Sequence, residues 1–247
     1  MSNLISAVMV TGHQPQRRPF ADRAIDAFLR QLYDHRELVI MNASSRPFKQ
    51  ASRRIKNVPF PQDGLTLGEV RQAALDHCQG EWVIFWDDDD HHHWSRMALQ
   101  ASAAGVNLPE PTADCCLLRN QLKYSFELDI ALAYPWPEGN VVPGGPGTML
   151  FWKSKVTKPF RSVPKHEDTH FILDNFDPWR IAAVENAPET YVRFYHGHNT
   201  HDGPHIMGPL HIAENRGSRL CTPEASKYLQ GLLEGPYGAL KAILGPR

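Results

Sequence analysis

Four aspartates and three histidines follow one another from Asp87 to His93, directly after the apolar run Trp82-Val83-Ile84-Phe85-Trp86. Adjacent carboxylates repel, so burying them together is costly unless cations come with them. Carboxylate oxygens are also the ligands that hard divalent ions prefer. The cluster therefore reads either as a solvated acidic turn or as a cation site at the end of a buried strand. The abrupt change from apolar strand to tetra-aspartate favours the second, because open α/β sheets bind ligands at the carboxyl ends of their strands. Two further groups carry the same kind of chemistry. Glu167-Asp168 pairs two acids where a helix is expected to begin. Such a pair either satisfies the first amides of its own helix or supplies a general base. His196-Gly197-His198-Asn199-Thr200-His201-Asp202 gathers three imidazoles in six residues. These suit metal or phosphate, and a zinc site is the competing reading, although no thiolate pair accompanies them.

The elements that must position these groups are legible from periodicity. Leu4 to Val10 reads as a strand, followed by the polar loop Thr11 to Arg18, and Pro19 suits a first helical turn. Ile25, Phe28, Leu29 and Leu32 recur at helical spacing, and Glu37 to Met41 is a second strand. Thr66 and Glu69 have the spacing of a capping box, which predicts a helix carrying Leu67, Val70, Ala74, Leu75 and Cys78 on one face. The first ninety residues thus read strand, helix, strand, basic segment, helix, strand. Further on, helices are expected over 95–104, 167–176 and 223–233, with Thr222 as the N-cap of the last. A strand or hairpin is expected over 115–126, strands over 148–152, 179–184 and 191–195, and a Pro- and Gly-rich loop over 135–146. No dinucleotide or P-loop glycine motif is present.

Composition narrows the class. With 247 residues and 42% hydrophobic content the chain can bury one sizeable core. A net charge of -1 gives no global field toward nucleic acid or membrane. The charge is uneven, however. Arg46 to Lys56 and Lys153 to Lys165 are basic and free of acids, either as ordinary solvated faces or as contacts for a polyanion. Cys78, Cys115, Cys116 and Cys221 form no CxxC pair and read as reduced thiols of a cytoplasmic protein. No apolar run is long enough for a membrane helix, so no membrane anchor is expected.

Four blocks together resemble the GT-A fold glycosyltransferases, in particular the family 2-like group. They are Val8 to Phe20; Leu67 to Leu75 with Gly80 to Asp90; Gly144 to Phe151; and His166-Glu167-Asp168-Thr169. The second is similar to the family's helix and DxD strand, and the fourth to its "ED" motif. The resemblance implies a single GT-A domain over residues 1–202, α/β and Rossmann-like with a mixed central sheet. A short C-terminal extension, irregular and then helical, occupies 203–247. It implies an inverting transfer from a nucleotide-diphosphate sugar to an acceptor hydroxyl, with Mn2+ or Mg2+ bridging the diphosphate. By carry-over Asp168 is the base and Glu167 orients it or the acceptor. Asp89 is the metal ligand, completed by His196 or His198, while Asp88 or Asp90 are alternatives in an uncertain register. Asp87, Asp88, Thr11, His13, Asn42 and Arg71 fall on the nucleotide-sugar side, and Gly145 and Thr148 on the acceptor side. His91 to His93 are read as shaping the loop. Asn42-Ala43 departs from the two aspartates common in the family, which leaves the base of the donor open.

The acceptor is read as a glycan or small molecule. The basic runs also permit DNA bearing a hydroxylated base, contacted through its phosphates. Two other functions fit less of the chain. A nucleotidyltransferase shares the layout but lacks its glycine-rich first loop with a Lys, and a non-catalytic nucleotide-sugar-binding module leaves Asp168 and Asp89 unexplained.

Overall fold

A computed structural model describes residues 3–44, 46–48, 52–197, 199 and 221–244. The first half alternates strands and helices. β1 (Ile5–Thr11), α1 (Arg18–Leu29), β2 (Arg36–Asn42), β3 (Ile55–Pro59), α2 (Leu67–Leu75), β4 (Trp82–Phe85), β5 (His91–His92) and α3 (Arg96–Ala104) follow in order. Then come β6 (Cys115–Leu118), β7 (Asn120–Ser125), β8 (Ile130–Pro135), β9 (Leu150–Trp152), α4 (Glu167–Asn175), β10 (Ile181–Val184) and β11 (Tyr191–Tyr195). Two helices, α5 (Pro223–Glu234) and α6 (Gly238–Leu244), complete the described chain.

Seven strands form a mixed sheet in the order β10-β6-β9-β4-β1-β2-β3. β1, β2, β3 and β4 run parallel, and β9 lies antiparallel between β4 and β6. β1 and β4 alternate their side chains between two cores, as a strand buried on both faces must. Ile5, Ala7, Met9, Trp82 and Ile84 face α1 and α3, while Val8, Val83 and Phe85 face α2 and α4. Cys115 and Cys116 divide the same way, one to each core, as free thiols. The capping box forms as the sequence predicts. Thr66 accepts from the Glu69 amide while the Glu69 side chain accepts from the Thr66 amide at 2.7 Å.

Three elements differ from the sequence reading. The basic segment contains β3, whose five residues pair in parallel with β2 at the sheet edge. The stretch read as one strand or hairpin, 115–126, is two strands that part after Leu118 into different sheets. β8, read as nothing in particular, pairs antiparallel with β7. Together β5-β11-β7-β8 make a second sheet. Its Leu122, Tyr124, Val192 and Phe194 face packs against Phe20 of α1, against Leu229 and Leu233 of α5, Leu240 of α6 and Tyr237 between them. Thr222 caps α5 by accepting from the Ala225 amide, as expected. The irregular stretch read over 203–217 lies outside the described residues.

Candidate functional site

The carboxyl ends of β1 and β4, the start of α4 and one face of the second sheet enclose a trench with a cavity of about 500 Å³. Its floor is the tetra-aspartate, and each of the four carboxylates has its own partners. Asp87 accepts from Arg71 Nη2 at 3.1 Å and from the Tyr191 hydroxyl at 3.1 Å. Asp88 is held by the Arg17 guanidinium, which also reaches Asp89 Oδ2 at 3.1 Å. Asp89 accepts further from His196 Nε2 at 3.3 Å and from the Asn199 amide at 3.2 Å. Asp90 accepts from the Phe194 backbone amide at 3.0 Å and contacts the Tyr191 hydroxyl.

These partners decide which acids carry charge. Burial drives Asp90 well above the usual carboxylate range, and the neighbouring Asp89 and Asp87 charges add to it. One hydroxyl proton on Tyr191 cannot serve both Asp87 and Asp90. Burial also pushes Asp88 up to about 6, against the pull of Arg17. For Asp89, burial works in the same direction but Arg17 and His196 outweigh it, and its pKa falls below the ordinary value. The floor is therefore not four equal charges. Asp89 is the firmly ionised member among the buried three, and it already has a cation beside it.

The next two histidines serve the loop, as read from the sequence. His92 is stacked on Trp86 with ring centroids 3.9 Å apart, and donates through Nε2 to the Asp87 carbonyl at 2.9 Å. Its other nitrogen accepts from Arg96, which is fully buried and also donates to the Phe85 and Thr148 carbonyls at 3.0 and 3.1 Å. Arg96 thus joins the end of β4 to the turn before β9. His91 bonds the hydroxyls of Tyr228 in α5 and of Tyr237, just before α6, at 2.9 and 3.3 Å. Burial holds both imidazoles neutral, with His91 lowered to about 3 and His92 well below its usual value.

On the opposite wall His166 takes a left-handed φ of 64° and turns the chain into α4. Backbone strain of this kind is tolerated where surrounding contacts hold it. Glu167, next in line, is buried and bonded to Arg71 Nη1 at 2.8 Å. Burial raises the Glu167 pKa, with Arg71 opposing. Asp168 is half-buried and lines the trench, and its Oδ1 accepts from the Thr169 amide at 2.6 Å. Arg71 itself lies over the Phe85 ring, 4.2 Å from its centroid.

Of the residues singled out in the sequence, His13, Arg71, Asp87, Asp88, Asp89, Gly145, Thr148, Glu167 and Asp168 line the trench. Thr148 does so while buried, its hydroxyl donating to the Gly145 carbonyl at 2.7 Å and accepting from the Leu118 amide at 2.9 Å. Thr11 and Asn42 are both buried and stand apart from the lining. Asn42 is occupied locally, accepting from the Ser44 amide at 2.9 Å and bonding Asn57 at 3.2 Å. His196 is buried beside Asp89, whereas His198 and His201 lie outside the described residues. Among the described residues no three His, Cys, Asp or Glu side chains are arranged as a metal site, so a protein-only zinc centre is not formed there.

Sequence reasoning missed Arg17, Lys123, Tyr191 and Arg193, all of which line the trench. Arg17 sits in the first loop, with no signal that marks it over Arg18. The other three were detectable in principle. Gln121-Leu122-Lys123-Tyr124 and Tyr191-Val192-Arg193-Phe194 alternate polar and apolar residues, the pattern of strands with one wet face.

Residues 6–105 match the model of a family described as "Glycosyl transferase family 2". Among solved structures, S. aureus TarS residues 1–349 in complex with UDP-GlcNAc is similar with a TM-score of 0.55 and 14% identity, covering 82% of this chain and 60% of that one. The mannosyltransferase PcManGT from Pyrobaculum calidifontis, in complex with GDP-Man and Mn2+, gives 0.53 and 14%, covering 98% and 75%. This is a GT-A fold. The chain spans 60% of the TarS 1–349 chain, and at this identity the likeness to TarS and PcManGT concerns the fold. No curated protein sequence matches the chain. Among the described residues no helix is long and apolar enough to cross a membrane.

Proposed function

We propose that this chain transfers a sugar from a nucleoside-diphosphate sugar to an acceptor hydroxyl, with inversion. One observation carries the reading. A trench at the strand ends of a GT-A fold sets an ionised, cation-paired Asp89 on its floor and the accessible carboxylate of Asp168 on its wall. In this reading Asp168 accepts the proton of the acceptor hydroxyl as its oxygen attacks the sugar carbon. Glu167, clamped by Arg71, fixes the first turn of α4 and so the direction of Asp168. Arg71 and Arg17 place positive charge where the diphosphate departs. His13 lies at the nucleotide end with Asp87, and Gly145 lies on the acceptor side, where the Gln121 amide occupies the place a Cβ would take.

Asp89 and His196 together offer one carboxylate oxygen and one imidazole nitrogen to a cation. Arg17 already supplies a positive charge there, which supports the reading of a cation site. With two protein ligands, the residues fit a divalent ion shared with phosphate oxygens. Bound Mn2+ or Mg2+ would act as a Lewis acid toward the departing diphosphate. For such an ion to sit at Asp89, Arg17 must turn from Asp89 toward the phosphates, where its charge is equally useful.

The acceptor is a saccharide or small molecule in this reading. Part of the basic runs that would favour DNA is engaged in local contacts. Arg54 pairs Asp34 at 3.3 Å, Arg161 pairs Asp174 at 2.7 Å, and Lys153 donates to the Cys78 carbonyl at 2.7 Å. None of these three lines the trench.

The test is a thermal-shift panel of nucleoside diphosphates with and without Mn2+, followed by donor turnover in the matching nucleotide sugar. A metal-dependent rise with one diphosphate, lost in Asp89→Ala, is expected from mass action on the native state. Asp168→Asn should keep that rise and lose about 10²–10⁴-fold in turnover. No rise with any nucleotide, or full turnover in Asp168→Asn, would refute the assignment.

A further inference from the structure

The second sheet turns an unusual face to the trench. β7, β8 and β11 alternate, so the residues opposite the apolar face point the other way: Gln121 and Lys123 from β7, Tyr134 from β8, Tyr191 and Arg193 from β11. Lys123 and Arg193 are register partners on neighbouring strands. Lys123 is only 7% exposed, yet among the described residues no hydrogen bond or ion pair reaches its ammonium. Its contact is the Tyr134 ring, 3.8 Å from Nζ to the centroid. Burial pulls its pKa down to about 7, and the nearby Arg193 guanidinium pulls the same way.

A buried ammonium without an anion is costly, and removing the charge by substitution would be simple. None of the seven acids that line the trench acts on it. Asp87, Asp89 and Asp90 act on Arg193, and Glu167 is taken by Arg71. Beside Lys123 stand two aromatic rings. Tyr134 and Trp136 meet edge to face at 6.2 Å, and Trp136 Nε1 donates to the Val142 carbonyl at 2.7 Å, which fixes its ring. Flat apolar rings next to one polar anchor are how ligand pockets commonly hold a ring and fix its orientation.

We infer that Lys123, with Arg193, Tyr134 and Trp136, forms an acceptor subsite for an anionic saccharide, a sugar ring that bears a phosphate or carboxylate. The inference takes the acceptor side of the proposed transfer as its frame. The anion completes Lys123, which then holds its proton, and the ring lies against Tyr134 and Trp136. A charge-assisted hydrogen bond of this kind is worth about tenfold or more in affinity.

The experiment measures binding of glucose 6-phosphate, glucuronate and glucose to the full chain by ligand-observed NMR. Each is measured alone and with the nucleoside diphosphate that gives the largest thermal shift. Wild type should bind at least one of the two charged sugars about tenfold or more tightly than glucose, and which one tells phosphate from carboxylate. Lys123→Met should erase that preference and leave glucose within about twofold. Lys123→Gln, which keeps polarity without charge, should behave as Lys123→Met does, and a melting curve for each variant checks folding. Equal affinity for charged and neutral sugars in wild type would overturn the inference, as would a preference that survives both substitutions. A charge preference seen only when nucleoside-diphosphate glucuronate is compared with nucleoside-diphosphate glucose would overturn the acceptor assignment. Failure of every nucleotide to bind would sink the transfer reading, while the free-sugar comparison without nucleotide would still decide the subsite.

Discussion

Replacing Arg71 by Met removes a bond to the more exposed Asp87 and, with it, the cation that Glu167 depends on. Both side chains are nearly inaccessible, at 6% and 4%, and the pair closes at 2.8 Å. Breaking a buried pair from one side costs on the order of 3–5 kcal/mol when the remaining charge must stay. Glu167 has an escape, which is to take up a proton. From the ordinary value of 4.5 that costs about 1.4 kcal/mol per pH unit, so about 3.4 kcal/mol at pH 7 and about 0.7 at pH 5. Asp87 adds less, because it is 31% exposed and keeps Tyr191. The sign follows from linkage. The Glu167 pKa is already raised in the fold, so its contribution to stability is complete below 4.5 and is lost as pH rises through the folded value. Without Arg71 the folded value climbs and the loss extends to neutral pH. Urea unfolding should therefore show a deficit of about 3 kcal/mol at pH 7 that shrinks to about 1 at pH 5. The double variant Arg71→Met/Glu167→Leu should recover most of it, since an apolar pair of similar volume avoids the buried charge. A deficit below about 1 kcal/mol at pH 7, or one equal at both pH values, would refute this account of the clamp.

Two further outcomes follow from packing and charge. Lys123 has its folded pKa depressed from 10.5 to about 7, so stability is lost as pH falls through that value and regained as pH rises toward 10.5. Lys123→Met should thus be more stable than wild type at pH 6, by at most roughly 5 kcal/mol, with the gain fading by pH 10 in parallel unfolding curves. Gly144→Ala places a Cβ 2.6 Å from Leu117 Cβ and 2.8 Å from the Leu118 carbonyl, so β6 must shift; calorimetry should read a loss of about 1–3 kcal/mol.

The parts of the fold that the sequence announced are those governed by local rules. Trp82 to Phe85 is a continuous apolar run, and Thr66 with Glu69 and Thr222 with Pro223 carry their own caps. β3 was hidden because Ile55-Lys56-Asn57-Val58-Pro59 has little apolar periodicity and is held by backbone pairing to β2. The second sheet was hidden because β5, β7, β8 and β11 come from four separate stretches and only tertiary pairing assembles them. The site divides in the same way. Acids announce themselves by clustering, as at Asp87 to Asp90 and Glu167-Asp168. Their cations are scattered singles, Arg17, Arg71, Arg96 and Arg193, and of these only Arg71 was singled out in the sequence.

Asp90 meets Tyr191 across 101 residues of chain, and Asp89 meets His196 across 107. During synthesis the acidic loop emerges long before either partner exists. Until β11 arrives, β5 has no strand to pair with and the carboxylates have Arg17, Arg71 and Arg96 but not Arg193 to offset them. A truncated chain that ends after α3 would contain the whole family-matched segment and still leave its acidic loop in water, unable to bury. Such long-range closure is slow compared with helix formation. Nascent copies should accordingly depend on the last third of the chain, and protease sensitivity near residue 90 should persist in ribosome-bound intermediates until β11 has been made.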